Sequence, residues 1–181
     1  GIRQFPRPSA RMQSSGAPSA MTLLASVCDD IRRTRAGVPR TRFLGRTPLS
    51  VRAAPTLATV SDEQWNWLQF LCPAAAAGAA EILDSQREIR CYVATRSKRK
   101  YCVIAASSQS AHCTIPGFCT CRAFCYQVAA KPEALVCKHE LAVLLADALG
   151  RVQEKRDVED DVWAAEFSLA MSAPMVAYSQ A

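Results

Sequence analysis

Residues 119–124 read Cys-Thr-Cys-Arg-Ala-Phe, and residues 135–149 read Leu-Val-Cys-Lys-His-Glu-Leu-Ala-Val-Leu-Leu-Ala-Asp-Ala-Leu. Three thiols and one imidazole fall in two tight pairs, Cys119 with Cys121 and Cys137 with His139. That is the donor set of a closed, tetrahedral zinc site of the Cys3His kind. In an extended segment side chains repeat every two residues, so Cys119 and Cys121 face one side and can grip one ion. On a regular helix Cys137 and His139 would diverge by roughly 200°. His139 is therefore expected at the start of a helix, whose body runs through Leu141, Val143, Leu144, Leu145, Ala148 and Leu149.

Working outward, two β-strands are predicted over residues 88–95 and 100–107. Ile89, Cys91 and Val93 alternate with Arg90, Tyr92 and Ala94, and residues 96–99 form a basic hairpin tip. A third strand at 111–115 leads through Pro116-Gly117 into the first ligand pair. Residues 122–129 read as helical up to Lys131-Pro132. Upstream, Ser61-Asp62-Glu63-Gln64 fits a capping box opening a helix with Trp65, Leu68, Leu71 and Cys72 on one face. Trp67 and Phe70 lie off that stripe, so this helix is expected either to be buried on two sides or to contact a partner. Pro73 ends or kinks this helix, and an alanine-rich helix continues through Ile82 and Leu83. The fold class is α+β: a helical pair, a small antiparallel β-sheet and a zinc-pinned C-terminal helix.

Composition divides the chain into three parts. Residues 1–60 hold ten Arg, no Lys and two acids, for +8, whereas residues 61–181 carry twelve basic against fourteen acidic residues, for −2. The overall +6 therefore belongs to a basic leader, and a high average charge says little about nucleic-acid binding by the folded part. Residues 1–60 are expected to be a disordered leader, an organelle transit peptide or an upstream extension of the coding frame, with Met21 a candidate start. Within it, Leu23, Leu24, Val27 and Ile31 mark a short amphipathic helix over residues 21–33. Residues 61–150 form the zinc-binding domain and 151–181 a tail. The tail opens with a charged, solvated segment (151–162) and ends in either an amphipathic turn or a partner-binding tail bearing Trp163, Phe167, Leu169 and Met171. No run of about 18 uncharged apolar residues is present, so no membrane span is expected.

The nine cysteines are an odd number with no secretory signal, which argues against a disulfide scaffold and for a reducing compartment. Cys28, Cys72, Cys91 and Cys102 sit singly among apolar neighbours and read as small buried hydrophobes. Cys125, Cys113 and His112 compete for the metal but are kept out of the ligand set. Cys125 sits on a predicted helix, and the adjacent His112 and Cys113 face opposite sides of a strand. Four protein ligands leave no position for water, and no Glu or His is spaced to act as a base, so no catalytic role is expected. There is no phosphate-binding loop either. Three thiolates on Zn²⁺ leave a formal charge of −1, for which Lys138 and Arg122 are the expected donors.

The pattern Cys119-x-Cys121…Cys137-x-His139-x-x-Ala142 resembles the SWIM zinc finger, including the small residue after the histidine. The resemblance extends from about Asp62 to Gly150, to the SWIM-domain subunit of the Shu complex of homologous recombination. It rests on Leu68–Leu71, Ala79–Ser85, Ala106–Ser110 and the two ligand blocks. It implies a nuclear, non-catalytic subunit holding one structural Zn²⁺ and paired with a RecA-like recombinase paralogue as a heterodimer. The pair would promote recombinase filament assembly on single-stranded DNA during double-strand break repair. No small-molecule substrate is implied.

Trp65, Trp67, Phe118, Phe124 and Tyr126 are the candidate partner anchors, since buried aromatics dominate such interfaces. Arg96, Lys98, Arg99 and Lys100 are the candidate DNA contacts, with Tyr92 or Tyr101 available to stack on a base. Two rival readings stand beside this one. One is a stand-alone SWIM module for DNA or protein binding in another pathway. The other is a thiol redox protein using Cys119 and Cys121, which requires metal-free thiols of low pKa.

Overall fold

The computed structural model describes residues 18–37, 60–85, 87–107, 110–152 and 154–178. The disorder or transit-peptide reading of residues 1–17 and 38–59 lies outside them. Three layers build the fold, with a sheet between a group of four helices and one terminal helix.

The helical layer begins at α1, Ala20–Gly37, longer than the predicted 21–33. Leu24, Cys28 and Ile31 recur at helical spacing and are buried in the main core. Residues 20–37, assigned from sequence to the leader, are thus part of the folded body. Helix α2, Asp62–Leu71, opens on the expected capping box: Ser61 Oγ accepts the Gln64 N–H, and Gln64 Oε1 accepts the Ser61 N–H. Pro73 does not kink a continuing helix but starts a new one, α3 (Pro73–Asp84), at a position where its missing N–H costs nothing. Helix α4, Lys138–Ala148, packs along α3 through small residues: Ala75, Ala76 and Ala79 on one, Ala142 and Ala146 on the other. Leu68, Ile82, Leu141 and Leu145 fill the space between the helices, each contributing about 1.5–3 kcal/mol by burial.

The sheet order is β4-β3-β2-β1-β5. Its strands are β1 (Ile89–Ala94), β2 (Lys100–Ser107), β3 (Ser110–Ile115), β4 (Phe118–Cys119) and β5 (Glu154–Val158). The first four are antiparallel neighbours, but β5 pairs parallel with β1, so the sheet is mixed rather than antiparallel. Residues 154–158, expected within a charged, solvated segment, join an edge where backbone pairing needs no apolar alternation. The zinc-binding helix is accordingly not the last element. Helix α5, Asp160–Tyr178, follows and covers the opposite face of the sheet with Trp163, Phe167 and Met171. The alternation in β1 and β2 decides the faces: Ile89, Cys91, Cys102 and Ile104 turn to the helical core, Tyr92, Ala94, Tyr101 and Val103 to α5.

Cys91 and Cys102, expected as separate thiols, stand directly opposite each other in the β1–β2 register, Cα atoms 4.1 Å apart, and form a disulfide. Cys28 and Cys72 remain buried thiols, each raised to about 11 by burial. Among the described residues no helix is long and apolar enough to cross a membrane.

Candidate metal centre

The structure brings Cys119, Cys121, Cys137 and His139 together, all four buried, with one ligand atom from each within 4.8 Å of the others. Ligands at about 2.3 Å from a tetrahedral zinc lie about 3.8 Å from one another, inside that bound. Three thiols and an imidazole fit zinc by chemistry as well. The His139 Nδ1, moreover, is buried without a hydrogen-bond partner among the described residues. Bound there, zinc would supply a covalent tie between loop and helix.

Each ligand is positioned by a short stretch of backbone. Cys119 ends β4, and Gly117, at φ 78°, makes the turn that folds β4 back on β3. Thr120, between the two cysteines, fastens the loop to β3: its N–H donates to the Cys113 carbonyl at 3.0 Å, and its Oγ1 accepts the Cys113 N–H at 3.0 Å. Cys121 begins the turn into a π-helix, Phe124–Ala130, where helix is predicted over 122–129, and its Sγ accepts the Phe124 N–H at 3.3 Å. Cys137 is the N-cap of α4, its Sγ accepting the Glu140 N–H at 3.4 Å. His139 thus lies in the first turn of the helix. Glu140 is buried beside it and accepts the Gly117 N–H at 2.8 Å, joining α4 to the β3–β4 turn.

Two of the three sulfurs therefore accept N–H groups at helix starts, where the free amides favour negative charge. The thiol donors of Cys119 and Cys137 add to this and hold Cys121 well below the ordinary thiol range. Cys119 is driven up by the same hydrogen bonds, Cys121 first, and by burial.

Sequence reasoning named Lys138 and Arg122 as the donors, and the structure uses backbone instead. The Lys138 stem lies against α3 at Gly78, and the Arg122 guanidinium sits 5.4 Å over the Tyr126 ring. Ala142 is fully buried in the helical core, so its small size serves the approach of α3 and α4 rather than clearance around the metal loop. His112 packs its ring on His139, centroids 4.2 Å apart, and burial followed by the neighbouring imidazole pushes its pKa down. Cys113 is buried in β3 and Cys125 is exposed on the π-helix; neither belongs to the four-residue cluster.

The comparisons with known proteins agree with this centre. Zinc finger SWIM domain-containing protein 7 of Homo sapiens is 32% identical over 98 residues, 54% of this chain and 69% of the relative. The chain belongs to the zinc finger SWIM domain-containing protein 7 family. Its Danio rerio member is 28% identical over 106 residues, 58% of this chain and 75% of the relative. The Dictyostelium discoideum homolog is 27% identical over 97 residues, 52% of this chain and 62% of the relative. No family model matches the chain, and no solved structure matches it.

The candidate partner anchors do not form one surface in this family member. Phe124 is buried and Phe118 partly so, their rings 5.4 Å apart beside the thiols. Trp65 is half-buried against the helical core, and only Trp67 and Tyr126 are open, at 46% and 58% exposure. The basic candidates also divide. Arg96, Lys98 and Arg99 lie on the exposed β1–β2 turn, where the Arg96 and Ser97 N–H groups donate to Asp160. Lys100 turns instead toward Asp147, Nζ to Oδ1 3.5 Å. Tyr101 is buried, its ring stacked on Tyr92 and edge-on to Trp163, so it is unavailable to a base.

Proposed function

We propose that this chain is the non-catalytic, zinc-binding subunit of a Shu-like complex in the nucleus. It pairs with a RecA-like recombinase paralogue, and the pair promotes recombinase filament assembly on single-stranded DNA in homologous-recombination repair. The observation that carries this reading is the closed Cys119, Cys121, Cys137 and His139 cluster in a chain of the zinc finger SWIM domain-containing protein 7 family. Four buried protein ligands tie a loop to a helix and leave no position at which a metal-bound water would react. A scaffold needs a rigid surface, and this tie supplies one by fastening β4 and the π-helix onto α4.

Single-stranded DNA would be engaged through the complex, and the exposure of Arg96, Lys98 and Arg99 supports their meeting phosphates there. The test is co-expression with a recombinase paralogue from the same genome, followed by zinc analysis of the purified pair. Stoichiometric zinc and a stable heterodimer are the expected result. A chain that holds zinc but retains no such paralogue belongs instead to a stand-alone zinc module.

A further inference from the structure

Helix α2 carries an aromatic pair that the described residues leave largely uncovered. Trp67 is 46% exposed and Phe70 75%, their rings edge to face at 6.0 Å. Glu63 and Asn66, one turn earlier on the same face, line a shallow depression with them. A second groove, between α1 and α2, shares Glu63 and Trp67 and adds the half-buried Leu23 and Val27. The apolar surface thus continues from one helix to the next around a carboxylate.

Acids outnumber cations around it. Glu63 and Asp62 are exposed and make no ion pair among the described residues. Asp30, across the groove, is 3.5 Å from Arg33, the cation at its edge. A position in the first turn of a helix accounts for two acids. It does not account for two large exposed rings beside them.

We propose that this face of α2 docks a segment of a partner protein that presents an arginine or lysine between large apolar side chains. The cation lies over the Trp67 ring and pairs with Glu63, and the apolar side chains cover Phe70 and the groove toward Val27. The capping box at Ser61 and the buried Leu68 hold the helix rigid, so docking orders little on this side of the interface. The proposal rests on the paired-subunit reading above and identifies the surface through which that pairing occurs.

The test uses the full, zinc-loaded chain co-expressed with the recombinase paralogue, comparing wild type with W67A/F70A, E63K and Y126A. Zinc content and thermal melting report the fold of each variant, and all three alter exposed positions. W67A/F70A is expected to lower retention of the paralogue by about tenfold or more and E63K by severalfold, each by more than Y126A. Retention of the paralogue by W67A/F70A at the wild-type level overturns the docking face and leaves the pairing intact. Loss through Y126A alone moves the interface to the π-helix and also overturns it. A wild-type dimer that W67A/F70A abolishes, with paralogue binding unchanged, makes this a face for a second copy and again overturns the proposal. Failure of the wild type to hold the paralogue overturns the pairing and the docking face together.

Discussion

Thr120 and Cys113 exchange two hydrogen bonds, backbone N–H to carbonyl at 3.0 Å and hydroxyl to backbone N–H at 3.0 Å. The residue between the first two metal ligands therefore extends the β3–β4 ladder by one pair, with its side chain standing in for one main-chain group. Cys113 is buried, so without the hydroxyl its N–H would have no ready replacement partner.

Thr120→Val keeps the shape and removes the acceptor. It is expected to cost about 1–3 kcal/mol in denaturant unfolding and to weaken zinc retention against a chelator. Thr120→Ser restores the bond and most of the loss. Equal melting of the Val and Ser variants would show that the hydroxyl does not hold the loop.

Cys137→Ser and His139→Ala each remove a donor from the cluster. Structural zinc contributes about 10 kcal/mol or more to small sites, so either change, or strong chelation of the native chain, should unfold residues 119–145. Circular dichroism would register the loss of α4 helicity, and elemental analysis the loss of about one zinc per chain. Cys125→Ser, at an exposed position outside the cluster, should leave both readings unchanged. Metal-free protein that melts like the native form would be incompatible with a structural zinc.

Asp147 on α4 bonds Arg32 of α1 at 2.9 Å and lies 3.5 Å from Lys100 of β2, tying three elements together. Burial disfavours its charge, but the Lys100 ammonium and the Arg32 guanidinium outweigh it and hold the carboxyl below its usual value. A depressed carboxyl stabilises the fold at pH above the unfolded value, about 4, and that contribution fades as pH falls through the lower folded value. Asp147→Asn should therefore cost up to about 1 kcal/mol at pH 6, the network being partly solvent-screened. The gap between variant and wild type should close below about pH 4. A gap that stays constant from pH 6 to about 3 would refute an electrostatic role.

The Cys91–Cys102 disulfide closes a loop of sequence separation 11 between paired strands. Closure of a loop of that order contributes about 2–3 kcal/mol, chiefly by restricting the unfolded chain. Reduction, or the double change Cys91→Ala with Cys102→Ala, should lower the melting temperature while zinc content stays the same. Thiol alkylation of the denatured, unreduced chain should leave these two cysteines unlabelled; labelling at both would exclude the bridge.

Much of this architecture was legible because local chemistry determined it. The Ser61 capping box, the break at Pro73, the alternation in β1 and β2 and the paired ligand spacing each act within a few residues, where side-chain period and backbone geometry suffice. Family membership was readable for the same reason, since it resides in the Cys119-x-Cys121 and Cys137-x-His139 spacings. Tertiary structure decided the rest. The β5 edge has no apolar alternation to announce it, because its parallel partner β1 supplies main-chain bonds rather than a buried face. Helix α1 looked like part of a leader until α2 and α4 provided the surface that buries Leu24 and Ile31. Cys91 and Cys102 read as isolated thiols until strand register set them opposite each other. Lys100 and Tyr101 read as exposed groups until Asp147 and α5 claimed them. A sequence states what each residue prefers locally, but burial and pairing across the chain depend on which distant surface arrives to meet it.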